Sequence, residues 1–154
     1  MKLAEALIKR ADLKSRIAQI INRMTENALI VEGENPDEDM IELQSIYDYL
    51  MKEMEELIVR INKTNNEIML DDIAIAAAIA KRDCLKATIS AYRSLRDAAT
   101  KKPSRYDRYE NGVNIKYIRT VEIVTLQKKI DDLSRQFREL DTKIQGRNWN
   151  TDLL

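Results

Sequence analysis

Three stretches of this chain keep their apolar residues in strict 3,4 spacing over several helical turns, the pattern by which long helices pack along their length. The second stretch reads Met40, Leu43, Tyr47, Leu50, Met54, Leu57, Ile61, and the last reads Ile123, Leu126, Ile130, Leu133, Phe137, Leu140, Ile144. A first, weaker one runs Leu3, Ala6, Arg10, Leu13, Ile17, Ile20, Met24. With aromatics at 5%, three glycines and two prolines among 154 residues, little sheet or turn is expected. The expected fold is all-α: one domain over 1–154, a long antiparallel, coiled-coil-like four-helix bundle with a β-hairpin inserted between helices three and four.

The spacing predicts helix one over about Lys2 to Leu29, with a break at Gly33. Asn35 reads as an N-cap, with Pro36 in the first helical position and Glu38 where a capping box wants it, so helix two is expected from Pro36 to about Asn62. Lys63 to Asn66 reads as a loop, making Asn62, Thr64 and Asn65 a polar loop cluster. Helix three is expected from about Asp72 to Ala99. Between 103 and 120 the period changes to 2, and Asn111-Gly112 signals a tight hairpin turn that sets Arg108 opposite Ile115 and Tyr106 opposite Tyr117. Thr120 then reads as the cap of helix four, ending near Gly146. An isolated two-stranded hairpin is marginal in water, so this one should lie on the helices or meet a hairpin of another subunit.

The exceptions to the apolar seams carry the candidate chemistry. Arg10 in helix one and Arg82 in helix three hold core-type positions, as does Arg96, and in an antiparallel bundle Arg10 and Arg82 should lie at similar height. Guanidiniums there need carboxylates or a bound anion, since an unpaired buried charge costs several kcal/mol. Glu53, Glu56, Asp12 and Asp83 are the expected partners in a polar layer, and a small anion is the alternative. The second candidate is the basic hairpin, where Lys101, Lys102, Arg105, Arg108, Lys116 and Arg119 interleave with Tyr106, Tyr109 and Tyr117. That mixture suits a subunit contact or single-stranded nucleic acid.

Net charge is zero, from 26 basic and 26 acidic residues, so no global field draws the protein to nucleic acid or an anionic membrane. Locally the signs separate. Glu32 to Glu56 holds ten carboxylates against Lys52, while Lys101 to Arg119 holds six cations against Asp107 and Glu110, and these segments could attract each other.

With no histidine, the common catalytic triads, zinc sites and di-iron bundles are excluded, and three scattered glycines make no phosphate loop. A magnesium-dependent nucleotide hydrolase would need paired acids on facing helices, and Glu53 with Glu56 is a single pair. No metal site or cofactor is expected, and a non-enzymatic role is favoured over an enzyme. Cys84, the single cysteine, is expected as a small buried hydrophobe. The start Met1 to Glu5 lacks the apolar run of a signal peptide, and no stretch approaches about 18 apolar residues, which predicts a soluble cytoplasmic protein without a membrane partner.

The chain resembles the septicolysin-like family of small bacterial proteins. The matching words are Glu5-Ala6-Leu7, Arg10-Ala11-Asp12-Leu13, Arg60-Ile61-Asn62 with Thr64-Asn65, Arg82-Asp83, Arg105-Tyr106, Thr120-Val121, Arg138 to Asp141 and Asn148-Trp149. The resemblance implies a helical fold, and the family's name suggests a pore-forming cytolysin. The residues themselves favour a homo-oligomeric helical scaffold acting through protein contacts or an anion at the Arg10 and Arg82 layer. A nucleic-acid binder and a pore former are the alternatives.

Overall fold

A computed structural model describes residues 1–101, 109–110, 113–114 and 116–154. The protein is mostly helical, with α1 (Leu3–Glu26), α2 (Met40–Glu67), α3 (Ile75–Thr100) and α4 (Ile123–Asn150). Two short antiparallel pairs join them, β1 (Met69–Leu70) with β2 (Ile73–Ala74), and β3 (Tyr109–Glu110) with β4 (Val113–Asn114). Cα packing separates two compact units, 1–77 with 144–154, and 78–143.

In the first unit α1 and α2 form an antiparallel pair. Ion pairs descend it in opposite chain directions, Arg23 with Glu38 near the connection and Lys9 with Glu53 further on. Leu3, Leu13 and Ile20 of α1 are buried with Leu43, Leu50, Leu57 and Ile61 of α2. Heptad spacing puts Leu43, Leu50 and Leu57 fully inside, while Tyr47 and Met54 on the other side of the seam are half-buried. Burying each such leucine contributes about 1.5–3 kcal/mol.

Several expected boundaries move, each for a local reason. Asp39 rather than Asn35 caps α2, its carboxylate accepting from the Ile41 and Glu42 backbone N–H groups, because Glu38 is drawn to the Arg23 guanidinium and its own N–H donates to Asn27 Oδ1. The connection before it turns at Gly33, whose φ of +91° and the Glu34 N–H to Val31 carbonyl bond fit a type II turn. At its other end α2 continues to Glu67, so Asn62, Thr64 and Asn65 are helical and not a loop cluster. Thr64 is fully buried, and its hydroxyl bonds back to the Arg60 carbonyl at 2.9 Å while accepting from Leu154 N–H at 3.0 Å. That tertiary use outweighs the weak helix propensity of the Asn-Lys-Thr-Asn-Asn run.

After α2 the chain makes a hairpin that the periodicity did not reveal. Met69 pairs with Ala74 and Leu70 with Ile73, and Asp71 takes φ of +52°, a conformation that a short polar side chain tolerates better than most. Asp72 is spent on this turn, which is why α3 begins at Ile75.

In the second unit α3 and α4 also run antiparallel. Ile89, Leu126 and Ile130 form the buried cluster, with Tyr92, Val121, Leu133 and Phe137 packed against it. Glu122 rather than Thr120 caps α4, accepting from Val124 and Thr125 N–H at 3.1 and 2.5 Å. The helix runs through Gly146 to Asn150, because Ile144 and Asn148 are buried in the first unit. Cys84 is exposed, contrary to expectation: it lies on a face of α3 away from Ile89 and Tyr92. Between the helices Tyr109 pairs with Asn114 and Glu110 with Val113, the register expected about Asn111-Gly112; the Arg108–Ile115 and Tyr106–Tyr117 pairs fall outside the described residues.

Candidate functional site

The arginines at core-type positions meet different fates. Arg10 and Asp12 are exposed on α1. Glu53 is half-buried and taken by Lys9 Nζ at 2.6 Å, whereas Glu56 is exposed beside it. Both line a surface cavity of about 390 Å³ with Lys52, Tyr49 and Arg60. Arg60 is already committed, donating from Nε to the Leu154 carbonyl at 2.9 Å.

Arg82 is 24% exposed and held by two carboxylates. Its Nε and Nη2 donate to Asp83 Oδ1 at 3.0 and 2.8 Å, and Nη1 reaches Asp141 Oδ1 at 3.4 Å. Arg96, two heptads on, repeats the arrangement with Asp97 at 3.0 and 2.8 Å and with Gln127 Oε1 at 3.0 Å. Each rung couples an Arg-Asp step of α3 to one side chain of α4, and the two together hold the helices in register about 21 Å apart along the axis. Partially exposed pairs of this kind contribute roughly 0.2–1 kcal/mol each, so their effect is on alignment more than on stability. Asp83 was readable as a partner from the sequence. Asp141 and Gln127 were not, since they depend on the antiparallel register of α4.

Around the end of α3 the basic segment presents a mixed surface. Lys101, Lys116, Tyr117 and Arg119 are exposed, and Arg119 Nε donates to the Ala99 carbonyl at 3.0 Å, closing the helix end. Leu95, Ala98, Tyr117, Ile118 and Val121 line a cavity of about 420 Å³ rimmed by Lys101 and Arg119. Ile118 is 85% exposed. Lys102, Arg105, Tyr106 and Arg108 lie outside the described residues, and Tyr109 is placed by its backbone pairing with Asn114.

The first unit carries the opposite surface. Leu29, Val31 and Ile41 are 91, 66 and 75% exposed about the connection into α2. Asp37, Glu38, Asp39 and Glu42 cluster there around Arg23 in a cavity of about 280 Å³. The Arg23 guanidinium holds the Glu38 carboxyl below its ordinary range and is itself raised. In the same way Lys2 lowers Asp152, and the Thr125 and Val124 groups at the start of α4 lower Glu122.

Among the described residues no helix is long and apolar enough to cross a membrane. The family model for a family of unknown function, DUF6847, matches residues 10–153. The fold is similar to that in the crystal structure of a functionally unknown conserved protein from Corynebacterium diphtheriae, at 33% identity and a TM-score of 0.89, over 100% of this chain and 99% of that one. No curated protein matches the chain. These findings overturn the septicolysin-like resemblance. Its matching words were two to four residues long, rich in residues that any charged helix repeats, and the cytolysin suggestion rested on that name.

Proposed function

We propose, from the premise that this chain belongs to the DUF6847 family of unknown function, that it is a non-enzymatic cytoplasmic scaffold that associates with itself. The acidic entry of α2 on one copy meets the basic end of α3 on another. The observation that carries this reading is the presence, on one chain, of two exposed apolar surfaces rimmed by opposite charge. Leu29, Val31 and Ile41 stand among Asp37, Asp39 and Glu42, and Ile118, Leu95 and Tyr117 stand among Lys101, Lys116 and Arg119.

Exposed apolar groups clustered inside a charged rim are characteristic of interaction sites. Opposite rims steer the encounter and fix its orientation, and apolar contacts supply the affinity. A two-fold arrangement would use each contact twice and close the assembly. The sparse core of the second unit supports the same reading, since Ala78, Ile89, Leu126 and Ile130 are the buried side chains among its described residues.

Sedimentation velocity across a concentration series tests the proposal. The wild-type protein should associate more weakly as salt rises. Ile118→Asp, at an exposed position that leaves the fold untouched, should shift it to monomer. Asp37→Lys with Glu42→Lys should weaken association, and Lys101→Glu with Lys116→Glu on top should restore part of it. A wild-type protein that stays monomeric at low salt and high concentration overturns the proposal. Retention of single-stranded DNA by the wild type, lost in Lys116→Glu, would redirect the basic surface to nucleic acid.

A further inference from the structure

Midway between the two arginine rungs, the α3 and α4 pair opens into a groove of about 490 Å³, within the usual range for small-molecule sites. Buried Ile89 and half-buried Phe137 make its floor. Its polar lining is one-sided in chemistry. Lys86 and Arg93 come from α3 and Arg138 from α4, and none of the three has a hydrogen-bond or ion-pair partner among the described residues. Ser90 and Ser94 add hydroxyls. The carboxylate present, Asp97, is already neutralised by Arg96.

Ser134 supplies the most telling atom. It lies opposite Ile89 on α4, its Oγ is out of contact with solvent, and it makes no hydrogen bond, not even the usual one to the carbonyl a turn earlier in its helix. A buried hydroxyl without a partner costs roughly 1–3 kcal/mol, and alanine would fit an α-helix better. In the free protein this hydroxyl is occluded, and a change of rotamer toward the groove would let an acceptor bound there take its hydrogen bond.

We propose that the groove between α3 and α4 binds a small amphipathic anion. Its carboxylate or phosphate head is held by Lys86, Arg93 and Arg138, with the Ser134 hydroxyl turning out to donate to it, and its apolar body lies on Ile89 and Phe137. The flanking rungs, Arg82 with Asp141 and Arg96 with Gln127, hold the helices at the spacing that keeps the groove open. The groove uses residues distinct from those of the self-association surfaces, so the two readings stand or fall separately.

Titration calorimetry on the full chain tests this with decanoate, decyl phosphate and decyltrimethylammonium as probes, the last as a cationic control of equal chain length. Decanoate, decyl phosphate or both should bind at least tenfold more tightly than the control, and their ratio identifies the preferred head group. Arg93→Glu with Arg138→Glu, both exposed, should weaken the preferred anion by about a hundredfold, at tenfold for each charge-assisted contact. Ser134→Ala should weaken it several-fold while leaving the melting temperature of the free protein unchanged or higher, a combination that a purely structural serine would not give. The proposal is overturned if both anions bind no better than the cationic control, if the double variant keeps wild-type affinity, or if Ser134→Ala lowers the melting temperature without changing affinity.

Discussion

The two units use the same long, charged helices and arrive at different degrees of closure. In the first, α1 and α2 are buried along their whole contact, and the chain beyond α4 seals their ends. Leu3 N–H donates to the Thr151 carbonyl, Leu153 N–H to the Met1 carbonyl, and Leu154 N–H to Thr64 Oγ1. The second holds its pair of helices with a cluster of three buried residues, two polar rungs and Lys129, which donates to the Tyr92 hydroxyl at 2.7 Å. A helix pair with so small a core leaves side chains and an open groove available to other molecules. The contrast puts the better-sealed core in the first unit and the open groove in the second.

Equal leucine truncations in the two units would break that contrast if their effects were alike. Leu50 is 1% exposed, so Leu50→Ala should cost about 2–5 kcal/mol in urea unfolding, from lost transfer energy and the cavity left behind. Leu133 is half-buried beside the small cluster, where solvent and neighbours can refill the space, and Leu133→Ala should cost about 1 kcal/mol. Equal losses would mean that the second unit is as tightly packed as the first. A sharper test of the seal is Thr64→Val, which keeps the volume and removes both hydroxyl bonds; about 1–3 kcal/mol should be lost, with faster exchange of the Leu154 amide.

How much of this was legible in the sequence follows the same division between local and distant causes. The 3,4 seams announced α1, α2 and α4, the less regular run from about Asp72 to Ala99 announced α3, and Asn111-Gly112 announced the register in which Tyr109 meets Asn114, because each signal is complete within its own segment. The extension of α2 through Thr64 was not legible, since its reason lies ninety positions away at Leu154. The use of Asp39 over Asn35 as a cap turned on Arg23 capturing Glu38 across the helix pair. Of the candidate site, Arg82 was conspicuous as a polar residue in an apolar seam, and its partner Asp83 was adjacent. The groove was hidden, because Lys86, Arg93 and Ser134 look like ordinary surface residues until α3 and α4 are set side by side.

Acid titration gives the smallest effect and separates the units by electrostatics alone. Glu38 and Asp152 in the first unit and Glu122 in the second are held below their ordinary values by Arg23, by Lys2 and by the N–H and hydroxyl groups at the start of α4, respectively. A carboxyl whose folded pKa lies below its unfolded one binds fewer protons folded than unfolded. Its contribution is therefore present above the unfolded value, near pH 4, and is lost as pH falls through the folded one. The melting temperature should hold from pH 7 to about 5 and then decline toward pH 3. Glu122 and Asp152 are exposed and Glu38 is half-buried at the surface, so the decline should be shallow and should shrink at high salt. Glu38→Gln should flatten the response of amides in α1 and α2, and Glu122→Gln that of amides at the start of α4. A uniform response of both units to either substitution would mean that they unfold as one, and the contrast between them would then be one of surface alone.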